Sequence, residues 1–179
     1  MKPSFHNFIR SCLVISTLLS ITSSNVYAAF DITLKSPDGS EHNLSEYIGQ
    51  GKWVVLNIWG TRCPPCREEM PELVRFHDEH NSVDAIVVGI AIDFPSYGYA
   101  KKSEVIAFAD DYLIDFPLLL SDANITEKTG LGRLEALPTT YVFNPGGKVV
   151  GAQVGGITKK IIEDFINKVK LQSLNSSVN

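Results

Sequence analysis

Two cysteines separated by two prolines, Cys63-Pro64-Pro65-Cys66, are the residues of this chain best suited to chemistry. They follow an apolar run, Trp53–Trp59, that predicts a strand, and they open a predicted helix. A thiol at a helix N-terminus is stabilised as thiolate by backbone N–H groups and the helix dipole. This position predicts a pair that cycles between dithiol and disulfide.

The alternative for these cysteines is half of a structural zinc site, which needs two further ligands. His77 and His80 are the candidates, and they lie roughly 16 to 21 Å beyond Cys66 along the predicted helix. The remaining cysteine, Cys12, falls in a segment that we expect to be removed. The sequence therefore favours redox chemistry over a metal site, and we expect no metal and no cofactor.

Residues 1–28 have the pattern of a secretory signal peptide. Lys2 and Arg10 form a positive region, 12–21 is apolar, and Val26-Tyr27-Ala28 fits a small-x-small cleavage site. The apolar run of about ten residues is shorter than the roughly twenty that a spanning helix needs. We expect a periplasmic or other extracytoplasmic protein cleaved after about Ala28, with an uncleaved membrane anchor as the alternative.

Length and charge restrict the remaining function classes. Without residues 1–28, the 179-residue chain keeps enough residues for one domain, predicted at 29–172, and a polar tail at 173–179. The formal net charge is −4, and losing Lys2 and Arg10 makes it about −6, which disfavours nucleic acid as a partner. A disulfide across a two-residue spacer restricts almost no loop entropy, so its value is chemical rather than structural.

The pattern along the chain alternates strands with helices. Strands are predicted at 30–34, 41–44, 53–59, 85–92, 116–120, 139–143 and 148–153. Helices are predicted at 64–80, 103–112, 122–129 and 158–171, with Ser103 as an N-cap and a frayed tail from Gln172. This order indicates an α/β fold with a mixed central sheet, flanking helices and an N-terminal β-hairpin.

Three segments together form a specific pattern: 57–71 (NIWGTRCPPCREEMP), 137–142 (LPTTYV) and 146–150 (GGKVV). With this set the chain resembles the thioredoxin fold, and more narrowly the exported TlpA/ResA-like thiol–disulfide oxidoreductases. The resemblance covers nearly all of the chain after residue 28. It implies a monomeric enzyme that receives electrons from a membrane thiol transporter and reduces a protein disulfide, such as that of apocytochrome c.

The two cysteines then have different roles. We expect Cys63, half exposed at the helix start, to be the nucleophile, and Cys66, inside the helix, to resolve the mixed disulfide. Pro64 and Pro65 remove two backbone donors from the neighbourhood of Cys63, which leaves mainly the Cys66 N–H. A less stabilised thiolate means a more reducing pair, so the spacer favours a reductant.

Glu69 lies three residues after Cys66, on the same face of the predicted helix. The resemblance implies that a glutamate here manages the proton of the buried cysteine, for which a raised pKa would suit it. The alternative is a first-turn acid that complements the helix dipole, which we expect for Glu68. Pro71 is predicted to kink the helix.

The segment Leu137-Pro138-Thr139 resembles the cis-proline loop that lies opposite the cysteines in this family. Such a loop would offer the Leu137 backbone to a bound peptide. Trp59 is predicted to be part core and part wall of the site, and Asn57 a strand residue satisfied locally. His77 and His80 are predicted to be solvated.

One residue departs from the family pattern. Arg62 stands before the first cysteine, where the family usually has Trp, and an adjacent cation favours the thiolate. Because an exposed charge is screened, we expect the proline spacer to dominate.

Other functions remain as alternatives. A disulfide oxidase or isomerase would share the fold and differ in reduction potential. A copper-delivery or other metal-binding module would need a histidine opposite the thiols, and a peroxidase would need a dedicated peroxidatic cysteine. Gly130-Leu131-Gly132 lacks the third glycine of a dinucleotide-binding loop.

Overall fold

A computed structural model describes residues 30–176. The strands are β1 (Thr33–Lys35), β2 (Glu41–Asn43), β3 (Trp53–Trp59), β4 (Ala85–Asp93), β5 (Gly98–Tyr99), β6 (Leu118–Leu120), β7 (Thr139–Phe143) and β8 (Val149–Val154). The helices are α1 (Pro64–His80), α2 (Lys102–Tyr112), α3 (Ile125–Lys128) and α4 (Lys159–Ser176).

The strands form one mixed sheet in the order β2-β1-β6-β4-β3-β7-β8, with β5 paired to the end of β4. The central strand β3 runs parallel to β4 and antiparallel to β7. All seven β3 residues are buried, as the near-continuous apolar run predicted for a strand covered on both faces. The predicted mixed sheet with flanking helices and an N-terminal hairpin is confirmed.

Helix α1 leaves the carboxyl end of β3 after a short turn and packs against β4 and α4. Its bounds are those predicted, and it continues unbroken through Pro71. The side chain of Glu72 accepts a hydrogen bond from the Lys159 amide at 3.0 Å, which attaches the start of α4 to α1. The chain thus returns, 87 residues later, to the helix that carries the cysteines.

Several element boundaries differ from the predictions for local reasons. The α2 N-cap is Lys101, without a side-chain cap, so the predicted cap Ser103 lies inside the helix. Asp122 accepts the Asn124 amide in a turn that precedes α3 and shortens that helix. The strand predicted from Phe116 begins at Leu118, because Pro117 cannot donate to the ladder.

The C-terminal helix is longer than predicted. Helix α4 continues past Leu171 to Ser176, and the hydroxyls of Ser173 and Ser176 donate to backbone carbonyls one turn back. The predicted signal peptide, 1–28, lies outside the described residues. Among residues 30–176, none of the helices is long and apolar enough to cross a membrane.

Candidate active site

Cys63 and Cys66 are joined as a disulfide at the N-terminus of α1, with their Cα atoms 5.3 Å apart. Cys63 is the N-cap, and its Sγ accepts a hydrogen bond from the Cys66 amide at 3.4 Å. The prediction that Cys63 is half exposed is wrong, since the residue is 1% exposed. Its sulfur turns back toward the helix because it is bonded to Cys66 and caps the first turn.

The two prolines occupy the first two helical positions and are exposed. Neither carries an N–H, and an N-cap side chain normally receives the amide of the second or third helical residue. With Pro65 in the second position, the Cys66 amide is the donor left for Cys63. The sequence predicted this arrangement correctly.

Glu69 is buried one turn beyond Cys66, and each carboxylate oxygen accepts one hydrogen bond. Oε1 accepts from the Asn57 side-chain amide at 2.8 Å, and Oε2 accepts from the Ile157 backbone amide at 2.9 Å. Burial raises the pKa of Glu69 from 4.5 to about 7, while these two hydrogen bonds act in the opposite direction. A carboxyl group with this pKa can exchange a proton near neutral pH.

The dipole explanation does not fit either glutamate. The first turn of α1 contains no acidic residue, because Glu68 and Glu69 lie in the second turn. Glu68 is exposed, whereas Glu69 faces β3 and the segment before α4.

Asn57, predicted to be a strand residue satisfied locally, is a member of this site. Its Nδ2 donates to Glu69 and, at 3.0 Å, to the Thr140 hydroxyl on the neighbouring strand β7. Asn57 and Thr140 are register partners, so the strand pairing fixes their approach. The signal that could have revealed this role is an amide side chain within an otherwise apolar, fully buried strand.

The peptide bond between Leu137 and Pro138 is cis, and both residues are buried. A Cβ added at Gly60, three residues before Cys63, would lie 3.4 Å from Leu137 Cδ1 and 2.9 Å from Phe94 Cβ. The Leu137-Pro138 loop and the segment after β4 therefore pack directly on the turn that leads into the cysteines. Glycine is needed at position 60 for this close approach.

Arg62 is 48% exposed and is held between two carboxylates. Its guanidinium lies 2.7 Å from Asp93 at the end of β4 and 3.4 Å from Glu104 on α2. Glu104 also accepts a hydrogen bond from the Thr61 hydroxyl at 3.3 Å. The positive charge beside Cys63 is therefore offset by its own partners, a reason beyond solvent screening for its small expected effect on the thiol.

The prediction that Trp59 belongs to the core is confirmed, whereas two histidines have different surroundings from those expected. Trp59 is wholly buried and its ring lies 4.6 Å from that of Phe108, so it belongs to the core and forms no exposed wall. His77 is buried, and its Nδ1 accepts the Val87 amide at 3.1 Å. Burial lowers the pKa of His77. His80 is partly buried and pairs with Asp84 and Glu163, so neither histidine is simply solvated.

Within residues 30–176, no group of three or more His, Cys, Asp or Glu side chains is arranged to hold a metal ion. The chemistry available at the described site is that of a disulfide, a buried carboxyl group and the amides around them.

Comparison with known proteins places this chain in a family. The AhpC/TSA family matches residues 27–152. The thioredoxin-like protein YneN of Bacillus subtilis is 37% identical over 139 residues, which are 76% of this chain and 75% of YneN. The thiol-disulfide oxidoreductase ResA of the same organism is 31% identical over 185 residues, covering 95% of this chain and 97% of ResA.

Solved structures of other proteins have the same fold as this chain. A secreted thiol-disulfide isomerase from Corynebacterium glutamicum superimposes with a TM-score of 0.65 and 26% identity, covering 75% of this chain and 80% of that protein. The family match, over residues 27–152, includes the strand, the cysteine pair and the helix described above. The chain belongs to the AhpC/TSA family of thioredoxin-fold proteins and is a thiol–disulfide oxidoreductase of the ResA type.

Proposed function

We propose that this enzyme is an extracytoplasmic reductant of protein disulfides. The observation that carries the proposal is the N-cap geometry of Cys63, whose sulfur receives the Cys66 amide while two prolines supply no further donor. Few donors mean a weakly stabilised thiolate in the reduced form, and a weakly stabilised reduced form gives up its electrons readily. Electrons would come from a membrane thiol transporter, and apocytochrome c is the substrate that the ResA likeness suggests.

The reaction transfers two electrons in two exchanges. The Cys63 thiolate attacks one sulfur of the substrate disulfide, whose S–S bond breaks and whose released sulfur takes up a proton. The Cys66 thiolate then attacks Cys63 Sγ, which breaks the mixed disulfide and frees the second substrate thiolate. The substrate ends as a dithiol, and the enzyme ends with the Cys63–Cys66 disulfide.

We assign to Glu69 the role of accepting the proton that the Cys66 thiol must lose. Cys66 is fully buried, so its thiol must lose a proton where water does not reach it easily. Glu69 lies three residues along the same helix, and its pKa of about 7 allows it to accept that proton at neutral pH. The proton passes from the Cys66 thiol to the Glu69 carboxylate, directly or through a water molecule, before Cys66 attacks.

The remaining predicted site residues support the cysteines. Pro64 and Pro65 limit the donors to Cys63, and Trp59 packs against Phe108 in the core at the end of β3. The Leu137-Pro138 loop, packed on Gly60, would receive the peptide that carries the substrate disulfide. We expect the enzyme to act as a monomer after removal of residues 1–28, since one chain contains every group in this mechanism.

Trapping in cells tests the substrate and the order of attack. In a Cys66→Ser variant the mixed disulfide at Cys63 cannot be resolved. We therefore expect covalent complexes between the variant and its partner proteins, which separate on a gel only after a reductant is added. A Cys63→Ser variant is the matched control and should capture none of them. Capture through Cys66 instead of Cys63 would overturn the assigned roles.

The pH dependence of thiol reactivity tests the role of Glu69. In the reduced wild-type protein, the alkylation rate of Cys66, followed by mass spectrometry, should change between about pH 6 and 8 as Glu69 ionises. In Glu69→Gln this change should disappear. A profile identical to wild type would remove Glu69 from the proton transfer and leave the disulfide chemistry in place.

The second candidate is an isomerase or oxidase, which the secreted isomerase from C. glutamicum favours by its similar structure. The two candidates differ in the direction of exchange with a peptide containing an oxidised Cys-x-x-Cys pair. A reductant in its dithiol form should reduce this peptide nearly completely at equal concentrations. An oxidase should instead oxidise the reduced peptide.

A further inference from the structure

Asn57 is a polar residue at a fully buried strand position, where apolar residues are the rule. It lies in the middle of β3, fully buried, between β4 and β7. Burying an amide costs free energy unless its polar atoms are paired. Only the nitrogen side is paired, through Glu69 and Thr140, while Oδ1 is buried without a partner among the described residues. An unpaired buried acceptor destabilises the fold, so a functional reason for this arrangement is expected.

The hydrogen bonds suit only one state of Glu69. With the carboxylate ionised, Oε1 accepts from Asn57 and Oε2 accepts from the Ile157 amide. When Glu69 is protonated, one of its oxygens becomes a donor and needs an acceptor. The Ile157 amide cannot accept, so the proton belongs on Oε1, which faces the side chain of Asn57.

A half turn of the Asn57 amide about χ2 supplies the acceptor that protonated Glu69 needs, and it moves Nδ2 to the place where Oδ1 has no partner in the ionised state. That torsion is soft and roughly two-fold, so the rotation exchanges Oδ1 and Nδ2 with little other movement. Oδ1 would then lie within reach of Glu69 Oε1 and of the Thr140 hydroxyl, both now donors. The Ile157 amide keeps its partner Oε2 in either state.

We propose that Asn57 is a positioning residue whose amide turns over as Glu69 gains and loses its proton, which keeps the Glu69 side chain in place in both states. This inference rests on the proton role proposed for Glu69. It also explains the residue type. An aspartate at position 57 would place a second carboxylate against Glu69, and the two would share one proton. A leucine would leave Oε1 without a partner.

Other ionisable groups lie on the elements packed around Glu69. They are the two cysteine thiols of the reduced form, Glu72 on α1 and Lys159 at the start of α4. Glu72 accepts the Lys159 amide, and the Lys159 ammonium pairs with Glu79 and Glu163. In the oxidised protein the cysteines do not titrate, so the Asn57 contribution can be measured without them.

The direct test is NMR of the oxidised protein with labelled Asn and Glu side chains between pH 5 and 9. The Asn57 side-chain NH₂ signals should titrate with the same midpoint as the Glu69 carboxyl carbon. Their nuclear Overhauser contacts to the Thr140 methyl should be strong above the midpoint and weaken below it. An amide that keeps one orientation across the whole range would overturn the proposal.

Variants supply a second readout. Asn57→Leu should lower the ionised fraction of Glu69 at pH 7 at least threefold, and Thr140→Val should lower it by a smaller factor. Thr129→Val, which removes an equally buried hydroxyl from the end of α3, is the matched control and should leave the titration unchanged.

Failure of this inference and failure of the Glu69 role are distinguishable. If Asn57→Leu leaves the carboxyl titration as in wild type while Glu69→Gln removes the pH dependence of alkylation, the Asn57 inference fails alone. If Glu69→Gln leaves alkylation unchanged, the proton role fails, whatever Asn57 does to the titration. If Asn57→Leu does not fold, the NMR titration of the Asn57 side-chain amide in the wild-type protein still tests whether the amide turns over.

Discussion

At the scale of single residues, the buried carboxyl group of Glu69 links the stability of the fold to pH. Its pKa is about 7 in the folded protein and near 4.5 when exposed, so the folded state holds the proton more tightly than the unfolded chain. The contribution of Glu69 to stability is therefore highest below pH 4.5, falls as pH rises toward 7, and then levels off. The slope in that window is about 1.4 kcal/mol per pH unit.

Glu69→Gln, which keeps the shape and cannot ionise, should lose this pH dependence. Relative to wild type, the variant should gain up to about 3 kcal/mol in unfolding free energy between pH 4 and pH 8. Urea denaturation of both oxidised proteins at several pH values measures the difference. Parallel curves over the whole range would mean that Glu69 titrates normally in the folded protein.

Also at this scale, the carboxylates around Arg62 should set the charge felt by Cys63. Removing one of them with Glu104→Gln leaves the guanidinium less compensated, which favours the Cys63 thiolate. We expect alkylation of reduced Cys63 at neutral pH to accelerate by about twofold to threefold, in keeping with the small energies of exposed ion pairs. Glu41→Gln on the edge strand β2 is the control. A rate unaffected by Glu104→Gln would show that the pairing is electrostatically irrelevant to the thiol.

At the scale of elements, the first turn of α1 should control the reduction potential. Pro65→Ala restores an amide at the second helical position, where it can donate to Cys63 Sγ and stabilise the thiolate. A hydrogen bond to a charged group of about 1.5–3 kcal/mol would raise the potential by about 30 mV or more.

Pro64→Ala is the matched control for this change. The amide of the first helical position points away from the N-cap side chain, so its restoration should have little effect. Equal shifts in the two variants, measured by redox titration, would mean that helix flexibility rather than donor number sets the potential.

The bounds of some helices and strands could be predicted from the sequence, and those of others could not. The long apolar run of β3 and the capped helix α1 were predicted with their bounds, because hydrophobic pattern and proline position fix them locally. The short α3 and the extended α4 were not, because Asp122 and the serines of α4 make hydrogen bonds that the hydrophobic pattern does not reveal.

At the scale of the whole molecule, the site depends on contacts between distant parts of the chain. The cysteine pair was predicted from its local pattern, whereas the roles of Glu69 and the Leu137-Pro138 loop were predicted from the resemblance to a known family. The partners of Glu69 were not, since Ile157 is 88 positions away and Thr140 reaches the site only through its strand pairing with Asn57. Burial of Cys63 was missed for the same reason, because exposure is decided by packing.

The central claim is that Cys63 and Cys66 form a reversible and reducing couple, and its reduction potential is the most direct measurement. The purified protein would be equilibrated with glutathione or dithiothreitol buffers, and the fraction of Cys63–Cys66 disulfide would be counted by thiol labelling. We expect a potential below about −200 mV, nearer to thioredoxin than to DsbA. A value near about −120 mV would contradict the account and indicate an oxidase.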